Sequence, residues 1–311
     1  MSSKKRYKAF QRGLARNGLF FFYWLFGSMP YGIVRFMMHI LLAVGFTFTV
    51  KQKRIARESL KVAFGQEKTD KEIDALIKKN FQTFGKSMIE LSYFLTHPQW
   101  VLDKVTIEGK EHLEAAMAQG KGVIAVTAHF GNFPLLMLRC AKEGYETNCI
   151  MRPIRDEKLE KFLFKKRKEA GFKTVYAIPR RQCVVNSLKV LRNKELLFIP
   201  LDQNFGSSGG VHVEFFGQEA ATATGPIVFS MRTGAPILLT FIIRQPDDTH
   251  KIVIEPPFEL EEGVDESDTI QKNIARLTKI IEGYIRKYPH EWGWMHRRWK
   301  TLPPQQKVEE V

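Results

Sequence analysis

Short apolar runs alternate with amphipathic stretches from residue 121 onward, and this pattern predicts strands followed by helices. The runs GVIAVTA at Gly122–Ala128 and ELLFIPL at Glu195–Leu201 have the length and composition of buried strands. Amphipathic stretches at Pro134–Glu143 and Glu157–Ala170 have helical spacing instead. Further strands are predicted at Thr147–Met151, Lys173–Ile178, Pro236–Ile243 and Lys251–Glu255, and further helices at Gln182–Asn193 and Asp268–Lys287. Strands that alternate with helices indicate an α/β fold with a mainly parallel sheet flanked by helices.

The first fifty residues have a different pattern, in which two apolar runs lie between basic clusters. Leu19–Phe26 and Phe36–Val50 are each shorter than the roughly 20 residues that a spanning helix needs, although joined they can form one imperfect span or a shallow hairpin. Lys4–Lys8 and Lys51–Arg57 flank the pair, which favours the cytoplasmic side for both flanks. We interpret the region as a helical, monotopic membrane anchor. The alternative is a pair of buried core helices.

These patterns divide the chain into three parts. Residues 1–50 form the membrane-anchoring region, residues 51–303 the α/β domain, and residues 304–311 a polar tail. Within the second part, residues 51–100 have apolar positions at helical spacing, so helices are expected to precede the sheet.

The chain is strongly basic, with 48 lysine and arginine residues against 33 aspartate and glutamate residues, a net charge of +15. Such a balance favours an anionic partner: nucleic acid, an acidic membrane face or a phosphate-bearing substrate. The apolar N-terminal region favours a membrane over nucleic acid. Cys140, Cys149 and Cys183 are odd in number and form no CxxC pair, which argues against a disulfide framework and a zinc site. A reducing compartment is therefore expected.

Candidate chemistry follows the first predicted strand of the sheet. In parallel sheets ligands bind beyond the carboxyl ends of the strands, and His129 stands directly after Ala128 there. A histidine near Gly131, which allows a substrate to approach closely, is suited to general-base catalysis. A single histidine is more often structural, so this position alone does not decide the function.

The residues around His129 resemble the signature of a known family. His129-Phe130-Gly131-Asn132-Phe133 is similar to the His-x-Gly-Asn-Trp-Glu motif of the bacterial lipid A late acyltransferases, within the lysophospholipid acyltransferase superfamily. Further blocks in the family's order are Arg54–Phe64, Met151–Pro153, Asp202–Gln203, Phe215–Gly217, Thr233–Pro236 and Trp294–Thr301. The ordered set covers roughly residues 50–303, and the order is more specific than any single block.

This resemblance implies a glycerolipid acyltransferase-like fold and an O-acyltransferase activity. A fatty acyl chain moves from an acyl thioester, on acyl-carrier protein (ACP) or coenzyme A (CoA), to a hydroxyl of a bacterial membrane lipid, a lipid A precursor. The thioester is a co-substrate, so neither a separate cofactor nor a metal is expected. The expected location is the cytoplasmic face of the inner membrane, with an anionic membrane surface as partner and no nucleic acid.

Strand ends and the resemblance together assign roles to individual residues. His129 is the expected base. Arg152 and Arg180 follow strand ends, where guanidinium groups suit phosphate or a thioester oxyanion, and Arg152 is the residue expected to stabilise the oxyanion. The residues expected to bind the substrates are Gly131, Asn132, Phe133, Arg180, Gln203, Gly206, Phe216 and Gly217.

One position departs from the family pattern, because Pro134 stands where the family has an acidic residue. A carboxylate normally orients the histidine and stabilises the imidazolium that forms. Asn132 is a suitable N-cap, which puts Pro134 in the first turn of a helix. For an enzyme we expect a carboxylate from elsewhere: Asp202 first, because it follows another strand, and Glu214 second. The alternative is a catalytically silent lipid-binding or scaffold protein.

Three further segments allow more than one interpretation. The helix predicted at Glu157–Glu169 is rich in lysine and arginine, so it is either a solvated face or a docking site for an anionic membrane or an acidic ACP. Trp292, Trp294 and Trp299 either stack nucleic acid or pack back on the sheet, as the resemblance favours. The glycine-rich Asn204–Gly210 lacks a Walker lysine, and we expect it to cover the acyl site.

Overall fold

The computed structural model describes residues 3–206 and 209–301, and its centre is a seven-stranded sheet. The strands are β1 (Val105–Glu108), β2 (Val123–Thr127), β3 (Thr147–Met151), β4 (Phe172–Tyr176), β5 (Leu196–Pro200), β6 (Gly210–Phe215), β7 (Gln218–Ala223), β8 (Ile237–Arg244) and β9 (His250–Ile254). The sheet has the order β1-β9-β8-β2-β5-β3-β4. Every neighbouring pair in it is parallel except β8 and β9. The predicted α/β fold with a mainly parallel sheet is confirmed.

Helices cover both faces of the sheet and build the N-terminal region. They are α1 (Ser3–Gly27), α2 (Tyr31–Phe48), α3 (Val50–Phe64), α4 (Asp70–Phe94), α5 (Trp100–Lys104), α6 (Lys110–Ala118), α7 (Phe133–Lys142), α8 (Glu157–Glu169), α9 (Arg180–Arg192), α10 (Gly225–Thr233) and α11 (Glu266–Lys287). The helical prediction for residues 51–100 is confirmed by α3 and α4. α4 begins at a capping box, in which Thr69 and Glu72 each bond the other's backbone N–H.

The central strands are buried on both faces, which explains why their sequences are almost continuously apolar. Every residue of β2 is buried. Ile124 and Val126 face one core, which α3, α9 and α11 cover. Val123 and Ala125 face a second core, which α6 and α7 cover. This two-sided burial fixes the carboxyl ends of β2 and its neighbours, from which the candidate site is built.

A small hairpin lies apart from the main sheet. β6 and β7 pair in antiparallel fashion, with Phe215 opposite Gln218. Phe216 and Gly217 form the two-residue turn between them and have φ values of +54° and +72°, as the tightest hairpin turns require. The sequence pattern did not predict this hairpin.

The N-terminal helices α1 and α2 pack against α4 and leave much of their apolar surface exposed. Among the described residues, α2 alone is long and apolar enough to cross a membrane, judged by length and composition, and 11% of it is buried. Trp24, Phe36 and Phe48 are all more than half exposed. The interpretation of the two apolar runs as buried core helices is therefore wrong. The predicted polar tail, residues 304–311, lies outside the described residues.

Candidate active site

His129 and Asp202 meet because the strands that precede them are parallel neighbours. β2 pairs with β5 in the register Thr127 to Pro200, so both carboxyl ends lie at one edge of the sheet. There, His129 Nδ1 lies 2.9 Å from Asp202 Oδ1, within hydrogen-bond distance. The predicted contact between His129 and this carboxylate is present.

Asp202 is held as a buried anion. Its side chain is 2% exposed, and Trp292 Nε1 donates a 2.7 Å hydrogen bond to Oδ2. Burial acts to raise the pKa of Asp202, but the charge and hydrogen bond of His129, together with the Trp292 indole, lower it below its ordinary value. An ionised carboxylate accepts only, so His129 Nδ1 carries the proton. In the tautomer that this contact selects, Nε2 is the ring nitrogen with the free lone pair.

Gly131 lets the His129 loop pass close to the sheet. Its φ is +58°, and a Cβ at this position would lie 2.1 Å from the carbonyl oxygen of Ile242. Any other residue would combine a strained backbone with a clash. Gly131 therefore allows the His129 loop to lie directly against β8.

Asn132 occupies the N-cap position of α7, as predicted, but its side chain makes no capping hydrogen bond. Its amide Nδ2 instead donates to the carbonyl oxygen of Ser87 at 3.2 Å and to Glu90 Oε2 at 3.1 Å. The side chain is fully buried, so it anchors the loop to α4 and does not face a substrate. Pro134 lies in the first turn of α7, as predicted.

Glu90, which the sequence did not identify, is the centre of a buried polar cluster. Arg244 grips its carboxylate with two hydrogen bonds, Nη1 to Oε1 at 2.6 Å and Nη2 to Oε2 at 2.8 Å. Both side chains are buried or nearly so. A buried carboxylate that is paired in this way is held in place. Because Asn132 is hydrogen-bonded to it, Glu90 also holds the loop that carries His129.

The imidazole is confined on one side by Phe133. The two rings meet edge to face, with centroids 5.0 Å apart. The side chain of His129 remains 28% exposed. The ring is therefore oriented by Asp202 and Phe133, and it still faces an open approach.

Basic and aromatic groups extend the same edge of the sheet. Arg152 follows β3 and is exposed, and Arg180 begins α9 with its guanidinium 5.5 Å from the ring of Phe205. His296, which the sequence did not single out, accepts a hydrogen bond on Nε2 from the backbone N–H of Asn204 at 3.1 Å. The two arginines therefore add positive charge at the edge of the sheet that carries His129.

The pKa of His296 reflects its position next to these groups. Burial lowers this pKa below its ordinary value. Asp202 acts against the shift, whereas His129 and Arg152 add to it. The lowered pKa favours the neutral ring, whose Nε2 can accept the Asn204 N–H.

Four of the residues predicted for the site show no contact with His129. Glu214 is 69% exposed on β6, and its nearest cation is Lys279 Nζ at 4.0 Å, so its prediction as a partner of His129 is wrong. Phe216 and Gly217 form the hairpin turn, where Glu282 Oε2 accepts the Phe216 N–H at 2.8 Å. They hold the hairpin to α11 and do not line the site. Gln203 is exposed beside Asp202.

The loop after Gln203 is only partly described. Gly206 is exposed near Asn204 and Thr301. Ser207 and Ser208 lie outside the described residues, so the predicted cover of the acyl site stays a prediction. Trp292 and Trp294 are buried, and their interpretation as a nucleic-acid stacking surface is therefore wrong.

Comparisons with known proteins agree with one another. A family profile described as bacterial lipid A biosynthesis acyltransferase matches residues 2–301. The chain is 28% identical over 286 residues to the lipid A biosynthesis palmitoleoyltransferase of Escherichia coli K12, and the match covers 90% of this chain and 89% of that protein. It is 26% identical over 285 residues to the lauroyltransferase of the same organism, with the same coverage.

A more distant relative and a solved structure also match. The phosphatidylinositol mannoside acyltransferase of Mycobacterium tuberculosis is 26% identical over 140 residues, 45% of this chain and 44% of that one. The crystal structure of the 1-acyl-sn-glycerophosphate (LPA) acyltransferase of Thermotoga maritima aligns with a TM-score of 0.38 and 14% identity, over 81% of this chain and 99% of that one.

Proposed function

The chain belongs to the bacterial lipid A biosynthesis acyltransferase family, and from that premise we propose that it moves a fatty acyl chain from an acyl thioester to a hydroxyl of a lipid A precursor, with His129 as the base. The observation that carries the assignment of the base is the 2.9 Å contact between His129 Nδ1 and the buried Asp202. It supplies the carboxylate that the family motif loses at Pro134.

The proposed reaction has two steps. His129 Nε2 takes the proton of the acceptor hydroxyl as its oxygen attacks the thioester carbonyl, and Asp202 stabilises the imidazolium that forms. The tetrahedral intermediate then collapses to an ester as the C–S bond breaks. The leaving sulfur takes the proton from His129 and departs as a thiol. Arg152 supplies a positive charge near the oxyanion. No acyl-enzyme is proposed. Gly206–Gly210 matches the pattern Gly-x-Ser-x-Gly, but it leads into the strand β6, whereas a nucleophile elbow leads from a strand into a helix.

The alternative is a silent lipid-binding or scaffold protein, and Pro134 is the residue that favours it. The arrangement of Asp202 opposes it. A buried carboxylate costs free energy unless it is paired, and here its partners are the imidazole and the indole of the candidate site. The enzymatic proposal accounts for this arrangement, whereas a scaffold has no use for it.

Mass spectrometry of total lipids tests the proposed function in cells. Cells with the gene are expected to contain a lipid A species heavier by one acyl chain than cells without it. Wild-type protein is expected to restore that species, and His129→Ala is not. Identical lipid profiles with and without the gene would contradict the proposal.

The proposed location is the cytoplasmic face of the inner membrane, with acyl-ACP or acyl-CoA as the soluble donor. Helix α8 supports attachment to an anionic surface. It packs against α1 of the proposed membrane anchor, which would bring its basic residues close to the membrane. Phe162 packs on Phe20 and Tyr23 with ring centroids 4.8 and 5.0 Å apart, and Arg16 Nη1 lies 3.0 Å from Asp156 Oδ2. The exposed face of α8 carries Lys158, Lys161, Lys165 and Lys168 around a partly exposed Phe164.

Vesicle binding is expected to depend on these lysines. Each lysine near an anionic bilayer contributes about 1 kcal/mol, so Lys161→Gln with Lys165→Gln is expected to weaken binding to phosphatidylglycerol vesicles about thirtyfold. Binding to neutral phosphatidylcholine vesicles should change little. The control is Lys272→Gln with Lys279→Gln, which removes the same charge from α11. Equal losses in both double variants would contradict a docking role for α8.

A further inference from the structure

We propose that the C-terminal segment Glu291–Thr301 positions both halves of the catalytic pair, and that Trp292 is the positioning residue that acts through Asp202. This inference rests on the proposed function of His129 as the base. It concerns residues to which neither the motif around His129 nor the strand ends assign a role in the site.

The segment first holds the loop that carries Asp202. It forms hydrogen bonds with three consecutive residues of this loop. Trp292 Nε1 donates to the Asp202 carboxylate at 2.7 Å, and Arg298 Nη1 donates to the Gln203 carbonyl oxygen at 3.2 Å. The Asn204 N–H donates to His296 Nε2 at 3.1 Å. The Thr301 N–H also donates to Asn204 Oδ1 at 3.1 Å. Side chain, carbonyl and N–H are thus all fixed from one side.

The same segment also holds the loop that carries His129. The Gly131 N–H donates to the carbonyl oxygen of Glu291 at 2.8 Å, and the Gly293 N–H donates to the carbonyl oxygen of His129 at 3.1 Å. These two bonds flank a short antiparallel bridge between Phe130 and Trp292. Trp292 is therefore bonded through its side chain to one catalytic loop and paired through its backbone with the other.

The segment is itself anchored in the core. Asn80 Nδ2 on α4 donates to the carbonyl oxygens of His290 at 2.9 Å and Trp292 at 2.6 Å. The side chain of Arg298 is fully buried and bonds the carbonyl oxygen of Ala221 at 2.5 Å. Buried hydrogen bonds of this kind leave the segment little freedom, so it fixes the distance between the two catalytic loops.

The indole of Trp292 contributes more than packing. Its N–H is a neutral donor to the Asp202 carboxylate and helps to lower the pKa of this residue. Loss of the donor raises the proton affinity of the carboxylate, and so of the coupled pair that it forms with His129. The pair then holds its extra proton at higher pH, and the base is lost there. A residue that only filled space would not shift this titration.

The test compares Trp292→Phe with Trp294→Phe. Trp294 is equally buried and packs edge to face on Trp292, with centroids 4.6 Å apart, but its Nε1 donates to the carbonyl oxygen of Pro289. Trp292→Phe is expected to move the acid limb of kcat against pH upward by about one unit, with a lower kcat and an unchanged KM. Trp294→Phe should leave the position of the limb unchanged.

Two measurements keep the result independent of folding and of turnover. Trp292→benzothienylalanine keeps the shape of the indole and replaces its N–H by sulfur, so it removes only the donor. The pH dependence of His129 carbethoxylation by diethyl pyrocarbonate, followed by mass spectrometry, is expected to shift upward in the same way. Without any wild-type turnover the proposed function fails, while this titration still tests Trp292. Profiles that superimpose on wild type, or an equal shift in Trp294→Phe, would overturn the inference.

Discussion

Replacing His129 by alanine is expected to lower kcat by about 10²–10⁴-fold, the usual contribution of a general base. Nε2 is the atom that accepts the proton of the acceptor hydroxyl, and the described site offers no second imidazole in the same relation to Asp202. His296 is close, but its Nε2 already accepts the Asn204 N–H. The measurement is steady-state acyl transfer by purified protein, with thermal unfolding as a check of the fold.

A matched control for this variant is His112→Ala. His112 lies on α6, outside the site, and its loss is expected to leave kcat unchanged. Because His129 is partly exposed on a loop, the alanine variant is expected to fold. Near-normal turnover by folded His129→Ala would refute the role of His129 as base.

Asp202→Asn is expected to cost at least about 10² in kcat, and in serine proteases the corresponding change costs about 10⁴. The Trp292 indole needs an acceptor, so the new amide oxygen is expected to turn toward Trp292 and the NH₂ toward His129. An NH₂ facing Nδ1 makes that nitrogen an acceptor, and the proton of the neutral ring moves to Nε2. The variant thus loses both the charge and the correct tautomer.

Glu214→Gln is the comparison variant, since it makes the same chemical change at the second candidate carboxylate. Glu214 is exposed on the hairpin beside Lys279, so this variant is expected to keep the kcat of wild type. Its free energy of unfolding should stay within about 0.5 kcal/mol of wild type, as for surface substitutions away from special features. Normal turnover by Asp202→Asn, or a large loss in Glu214→Gln, would contradict the assignment of the carboxylate.

The contact of His129 with Asp202 was predictable because local pattern and topology agree there. Both residues follow short apolar strands, and parallel neighbours bring their carboxyl ends together. The sequence also indicated which motif residues surround the base. The predicted contact requires only that β2 and β5 be adjacent in the sheet. The pairing of Thr127 with Pro200 confirms that they are.

Glu214, Phe216 and Gly217 were assigned wrongly for a local reason. Phe216 and Gly217 belong to a block of the family resemblance, and Glu214 directly precedes that block. The segment is instead a hairpin whose turn has two residues with positive φ. Phe216 is not glycine, so nothing in its identity marks the left-handed conformation.

The Glu90 cluster was missed because its bonds are long-range. Glu90 is 154 residues from Arg244 and 42 from Asn132. On α4 the polar residues Asn80, Ser87 and Glu90 share one face, and such a stripe is typical of a solvated surface. Only the packing of α4 against the loops shows that this face is buried.

The most direct test of the central claim is the mass of the acceptor after reaction in vitro. Purified protein is incubated with a lipid A precursor and, in separate reactions, acyl-ACP or acyl-CoA. Wild-type protein is expected to add the mass of one acyl chain to the acceptor with at least one donor, and His129→Ala is expected to add none in the same time. An acceptor that wild-type protein leaves unchanged with both donors, or that His129→Ala acylates equally well, would contradict the account.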